Sequence, residues 1–211
     1  MNSMFKFFWL LFVSIIFLLG CKKEKATDSS KQYSFNFQAN AEGWSGDFAD
    51  YPSAADQRPI YNLQFSHTML PNPLSNSDGA LRQSGTNRSD DLFMFVRKKI
   101  EGLEPNIIYA ISFEIEIATN APSGNVGVGG APGESVYIKA GATTIKPEKQ
   151  IDTISKHFKM NVDKGNQSTD GPTIKLIGDF ANGTTSNAYN LKKLISRPLN
   201  TSIPQCYQGF V

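Results

Sequence analysis

The stretch Ile107–Ile117, IIYAISFEIEI, decides the fold. Read in steps of two, Ile107, Tyr109, Ile111, Phe113, Ile115 and Ile117 fall on one side, with Ser112, Glu114 and Glu116 on the other. Successive side chains of an extended chain point to opposite faces, so this alternation is a strand with one face on a core and one in water. Tyr33, Phe35 and Phe37 repeat it in YSFNF, Tyr61, Leu63 and Phe65 in IYNLQFSH, and Phe158, Met160 and Val162 in HFKMNV. LFMFV, Leu92 to Val96, is apolar on both parities and predicts a central strand covered on both faces. ESVYIKA, PTIKLIG and YNLKKLI read as further strands.

Between these runs lie PNPLSNSDG, NAPSGNVGVGGAPG, DKGNQSTDGP and FANGTTSN, clusters of residues that form turns through positive φ, fixed φ or local side-chain hydrogen bonds. No segment carries an apolar stripe at helical spacing with caps, so crossover helices for a parallel sheet are absent from the pattern. About eight strands joined by long polar loops predict an all-β domain, an antiparallel β-sandwich of jelly-roll type.

Outward from this domain, the N-terminus is of another kind. The apolar run Phe7–Gly20 sits between Lys6 and Cys21. As a helix its 14 residues would span about 21 Å, against a hydrocarbon core of about 30 Å. A short basic start, an apolar stretch and small residues before a cut are the parts of an export signal. Leu18-Leu19-Gly20-Cys21 resembles the lipobox of bacterial lipoproteins. That resemblance implies cleavage before Cys21, acylation of its thiol and anchoring in the lipid bilayer, with an outer-membrane location facing the periplasm or the cell surface. Several acyl chains hold a protein on a bilayer far longer than one. The expected organisation is a leader at 1–20, a flexible tether at 21–32 and the β-sandwich domain at 33–211. The tether, KKEKATDSSKQ after the cysteine, is charged and lacks large apolar side chains. Its Lys-rich start is similar to surface-export signals of Bacteroidetes lipoproteins.

Loss of the leader removes one base, Lys6, and no acid, leaving Lys and Arg one ahead of Asp and Glu. That balance offers no basic face for nucleic acid. There are two cysteines, Cys21 and Cys206. With Cys21 lipidated no intrachain disulfide forms, and the domain must stand on its apolar core.

IEGLEPNIIYAISFEIEI also resembles a segment of carbohydrate-binding modules and fibronectin-type sandwiches. It implies a turn at Leu103 and Pro105, and a Tyr109 whose hydroxyl ties down the loop before it. GDFADYP, SDDLFMF, GVGGAPGESVYIKAG and MNVDKGNQ are similar to an uncharacterised bacterial lipoprotein group, which adds nothing on function. The tail SRPLNTSIPQCYQGFV shows no alternation, and the reading is a chain cut short or frameshifted after about Asn200.

Chemistry is sparse. His67 and His157 are the two histidines, and no HExxH spacing or G-x-S-x-G turn occurs. The Gly124–Gly133 run fails as a phosphate loop because Pro132 interrupts it and a strand, not a helix, follows. Glu114 and Glu116 share one face about 7 Å apart and resemble the catalytic strand E-x-D-x-x-E of jelly-roll glycoside hydrolases. The match departs at the Asp position and at Asn120, and retaining chemistry wants carboxyls about 5–5.5 Å apart. EGWSGDFADYP is the best ligand candidate. It places Trp44, Phe48 and Tyr51, rings that stack on sugar faces, beside Asp47 and Asp50, which accept from hydroxyls, in a short Gly-containing loop. The competing reading has these rings plugging the sandwich. Asp90 and Asp91, with NVDKGNQSTDG, could supply oxygens to a structural Ca²⁺. Asp152-Thr153-Ile154 resembles the O-glycosylation acceptor of Bacteroidetes and would put Thr153 on the surface. The expectation is a non-catalytic module without cofactor, binding a polysaccharide or another ligand outside the cytoplasm. The alternatives are a glycoside hydrolase or lyase using Glu114 and Glu116, or a structural or adhesion subunit.

Overall fold

The structure is a computed structural model that describes residues 30–88, 91–104, 107–202 and 206–210, with the backbone alone for 200–202 and 206–210. Cys21, the leader, Asp90 and Pro105 lie outside the described residues. A compact unit begins at Phe35; residues 30–34, before it, have no regular structure. No described helix is long and apolar enough to cross a membrane.

The fold is all-β, antiparallel and sandwich-like. Its centre is a five-stranded sheet. β1 (Ser45–Ala49) lies at one edge, beside β5 (Phe93–Ile100); then come β14 (Cys206–Phe210), β8 (Tyr137–Thr143) and β11 (Ile174–Asp179). Every neighbour in it is antiparallel. Register sorts side chains onto two faces, because directly opposed residues of an antiparallel pair point the same way. Phe93, Phe95 and Arg97 share one face with Ala49, Asp47 and Ser45; Met94 and Val96 share the other with Phe48 and Gly46.

Both faces are covered. On the Ile100 face lies a long ribbon. In it β6 (Ile108–Ile111) and β7 (Glu114–Thr119) pair with β13 (Leu199–Ser202) and β12 (Asn190–Ile195), respectively. Ile100, Phe113, Ala140 and Ala142 are buried between the layers, with Phe35, Leu103, Ile111, Ile115 and Ile177 around them. On the Phe93 face lies a second small sheet: β2 (Tyr51–Pro52), β10 (His157–Met160) and β9 (Lys149–Asp152). Met160 closes that side over Ala49, Phe93 and Phe95. β3 (Gln64–Met69) and β4 (Gly79–Ser84) form a separate hairpin.

The deciding stretch keeps its alternation. Tyr109, Ile111, Phe113, Ile115 and Ile117 face inward, and Ala110, Ser112, Glu114 and Glu116 are exposed. Ile107 departs from it at 44 % exposure, because the strand starts only at Ile108. The strand is also broken in two at Ser112–Phe113. There Ser196 bridges the gap: Phe113 N donates to Ser196 Oγ at 2.8 Å, and Ser196 N donates to Phe113 O at 2.9 Å. LFMFV is the covered central strand expected, with Phe95 1 % exposed.

Two expectations are corrected. YSFNF is not a strand: Asn36 N and Phe37 N both donate to Glu42 Oε1, at 3.0 and 2.6 Å, and Phe37 sits at φ 56°. A carboxylate has taken the donors a ladder would need. EGWSGDFADYP is not a loop but β1 and β2, kinked at Asp50 with φ 59°. Gly46 lets this strand through, since a Cβ there would lie 2.2 Å from the Phe65 ring. The tail, which shows no alternation, forms two strands. Leu199–Ser202 pairs with β6, and Cys206–Phe210 is bonded on both sides within the central sheet. A strand with neighbours on both edges and cover on both faces has no need of alternation.

Candidate functional site

The rings that the sequence singled out fall into two packed clusters rather than one site. Trp44, Phe48 and Tyr51 are 4, 6 and 3 % exposed. Trp44 receives Phe35 and Phe37 edge-on, at 5.4 and 6.3 Å between centroids. Tyr51 packs on Tyr61 and Phe158, and Phe48 belongs to the same cluster. The expectation that these rings form a stacking platform is corrected. Each buries the face a sugar would need, because rings from residues 35–37, 61 and 158 reach them first.

Asp47 and Asp50 are held by cations rather than left open to hydroxyls. Asp47 Oδ1 accepts from Lys149 Nζ at 2.8 Å, and Arg97 lies 3.8 Å from Oδ2. Lys149 also donates to Tyr51 Oη at 3.1 Å and lies over the Phe158 ring at 5.1 Å. Burial pulls the Lys149 ammonium down, but its bonds to Asp47 and Tyr51 carry it above its ordinary range. The buried Asp50 carboxylate takes Lys159 and Lys164, both at 3.0 Å, and Lys164 sits 4.5 Å from the Phe93 ring centroid. These pairs fasten β9, β10 and the loop after them onto the central sheet.

The loop proposed to hold Ca²⁺ is organised around an ammonium. Lys139, 4 % exposed on β8, donates to Lys164 O at 2.8 Å and Thr169 O at 2.7 Å. Asp163 Oδ1 accepts from Gly165 N, and Asp170 Oδ1 from Leu176 N. The carboxylates thus cap turns while carbonyls hold the cation. Asp91 is exposed, and no group of three His, Cys, Asp or Glu suited to a metal occurs among the described residues.

Glu114 and Glu116 stand on the outer face of the ribbon, both exposed. Glu114 pairs with Lys193 at 2.6 Å, and Lys193 lies directly across from Glu116. His67 Nε2 meets Phe37 O at 2.6 Å, and His157 Nδ1 meets Ser155 O at 2.7 Å. Glu104 N donates to Tyr109 Oη at 2.8 Å, the loop tie expected of that hydroxyl. Thr153 is exposed at the turn between β9 and β10.

Sequence reasoning missed one feature. A depression of about 490 Å³ is lined by Ala55, Arg58, Pro59, Asn62, Leu63 and Gln64. It lies along a 3-10 turn, Arg58–Tyr61. AADQRPIY carries no motif; only Pro59, favoured at the start of a helical turn, signals local order.

The fold and these sites define an antiparallel, sandwich-like all-β protein. No protein-family model, curated protein or solved structure matches the chain.

Proposed function

We propose that the chain is a bacterial lipoprotein, held on the outer membrane through acylated Cys21, whose β-domain is a non-catalytic module binding a glycan outside the cytoplasm. The observation that carries the anchor is the Leu18–Cys21 motif at the end of an apolar run of 14 residues, followed by a charged tether. A helix of that length is about 9 Å short of the hydrocarbon core. The non-catalytic reading is supported by the open setting of Glu114 and Glu116 on a ribbon face and by the binding of both imidazoles to backbone carbonyls.

The test is fractionation with intact-mass measurement of the full chain. The expected result is a membrane-bound protein starting at Cys21 with added acyl mass, and for Cys21→Ala a chain that keeps its leader and carries no acyl mass. A wild-type protein starting at Met1, or recovered without lipid, overturns the anchor. Turnover on a polysaccharide panel that is lost in Glu114→Gln overturns the non-catalytic reading.

A further inference from the structure

The Arg58 depression is placed and equipped as a binding site. It is an open surface depression of about 490 Å³, able to take one residue of a longer ligand rather than to enclose it. Its walls combine an apolar floor, Pro59 and Leu63, with one guanidinium and two amides, Asn62 and Gln64.

The floor is rigid. Tyr61, 3 % exposed, anchors the turn among Phe48, Tyr51 and Phe158, and Leu63 packs against the same cluster. Thr86 N donates to Tyr61 O at 2.7 Å, and Asn62 Nδ2 donates to Thr86 Oγ1 at 3.2 Å. Asn62 itself closes the turn at φ 47°, its N–H on Pro59 O.

The guanidinium is poised rather than spent. Arg58 lies 5.7 Å from the centroid of the Phe158 ring, which Lys149 approaches at 5.1 Å. No carboxylate lies within ion-pair distance of Arg58 among the described residues, although Asp56 is two residues away. A guanidinium whose N–H edges are not taken by a carboxylate can fork one with two parallel hydrogen bonds. Gln64 is exposed and makes no side-chain hydrogen bond among the described residues.

We infer that this depression binds a carboxylate-bearing sugar residue: Arg58 forks the carboxylate, Asn62 and Gln64 bond hydroxyls, and Pro59 and Leu63 meet the apolar ring face. The inference rests on the glycan reading above and narrows it to acidic saccharides. An exposed ion pair alone would contribute little. Specificity comes from the fork together with the amides and a floor packed on the core.

The full lipoprotein in detergent is tested with tetragalacturonate, with a neutral maltotetraose, and with inorganic phosphate as competitor. Tetragalacturonate alone should be retained, and Arg58→Ala should weaken it at least about tenfold, since both hydrogen bonds of the fork are lost. Arg58→Lys should restore little, since an ammonium cannot fork. Gln64→Ala, an exposed change with no packing cost, should weaken binding several-fold at an unchanged melting temperature. Retention of the neutral tetramer unaffected by Arg58→Ala overturns this site while leaving glycan binding standing. Full displacement by equimolar phosphate overturns the sugar in favour of a general anion site. Retention of neither saccharide overturns both the site and the glycan reading.

Discussion

The ammonium of Lys139 lies 2.7 Å from the carbonyl oxygen of Thr169, thirty residues further along the chain. A second bond of 2.8 Å to Lys164 O makes it a two-point clamp on the loop that follows β10. Lys139→Met keeps the length and removes the donors, leaving two acceptors without their partner. Both bonds are part-buried and charge-assisted; hydrogen bonds to charged groups contribute about 1.5–3 kcal/mol, so a loss of about 2 kcal/mol is expected in urea denaturation. Limited proteolysis should then cut within residues 163–170 before the wild type is touched.

Lys139 and Lys149 respond to alkali in opposite directions. Burial, then the Lys164 charge, pulls Lys139 below its ordinary value, against the opposing pull of Asp170 and Asp163. Between its folded and unfolded values the unfolded chain binds the extra proton, so this residue's contribution rises with pH. Lys149 is the reverse. Burial lowers it, but its bonds to Asp47 and Tyr51 raise it further. Its contribution is complete below the unfolded value of about 10.4 and is lost as pH climbs through the folded one. Melting curves from pH 8 to 11 should show a shallower alkaline decline for Lys149→Met than for wild type. A steeper one would mean that the Asp47 pair is not formed.

Trp44 separates core from ligand platform directly. The ring is 4 % exposed and is met edge-on by Phe35 and Phe37. Trp44→Ala leaves a cavity between residues that cannot close on it, and a loss of about 3–5 kcal/mol follows. A melting temperature within a degree or two of wild type would return the ring to the surface.

Such outcomes mark what a sequence can show. The period-two pattern of residues 109–117 is local, so it reads correctly; the sides taken by Phe113 and Glu114 follow from the pleat alone. Burial of Trp44 is not local. Aromatics in loops serve cores and ligands equally well, and only the return of Phe35 and Phe37 decides between them. The YSFNF strand fails for a reason outside its own residues, the Glu42 carboxylate that takes two of its amides. Lys139 was one lysine of a strand, with nothing to mark the loop carbonyls it would hold. β14 was illegible because the middle of a covered sheet imposes no alternation. Arg58 has no motif at all; its setting is a property of Phe158, one hundred residues away.

Tyr109 ties the turn before β6. Its hydroxyl accepts from Glu104 N at 2.8 Å. Tyr109→Phe removes that acceptor and little else, so a loss of about 0.5–1.5 kcal/mol is expected. Amide exchange should quicken at Glu104 while Phe113 stays protected. Uniform loss of protection across β6 and β7 would show that the ring, not the hydroxyl, carries the effect.

Ser196 joins the two halves of the ribbon and tests whether the layer is one element. Its Oγ accepts from Phe113 N at 2.8 Å, its N–H donates to Phe113 O at 2.9 Å, and the residue is 6 % exposed. β6 and β7 each pair with their own strand, so without this bridge the ribbon has a joint at Ser112–Phe113. Ser196→Ala removes the Oγ that the buried Phe113 N–H bonds, at a cost of about 1–3 kcal/mol. Ser196→Thr keeps the hydroxyl and should recover most of it. Because Phe113 stands in the core with Ile100, Ala140 and Ala142, exchange should rise in the facing strands β5 and β8 as well. A rise confined to β6 and β13 would mean that the two halves of the ribbon open independently.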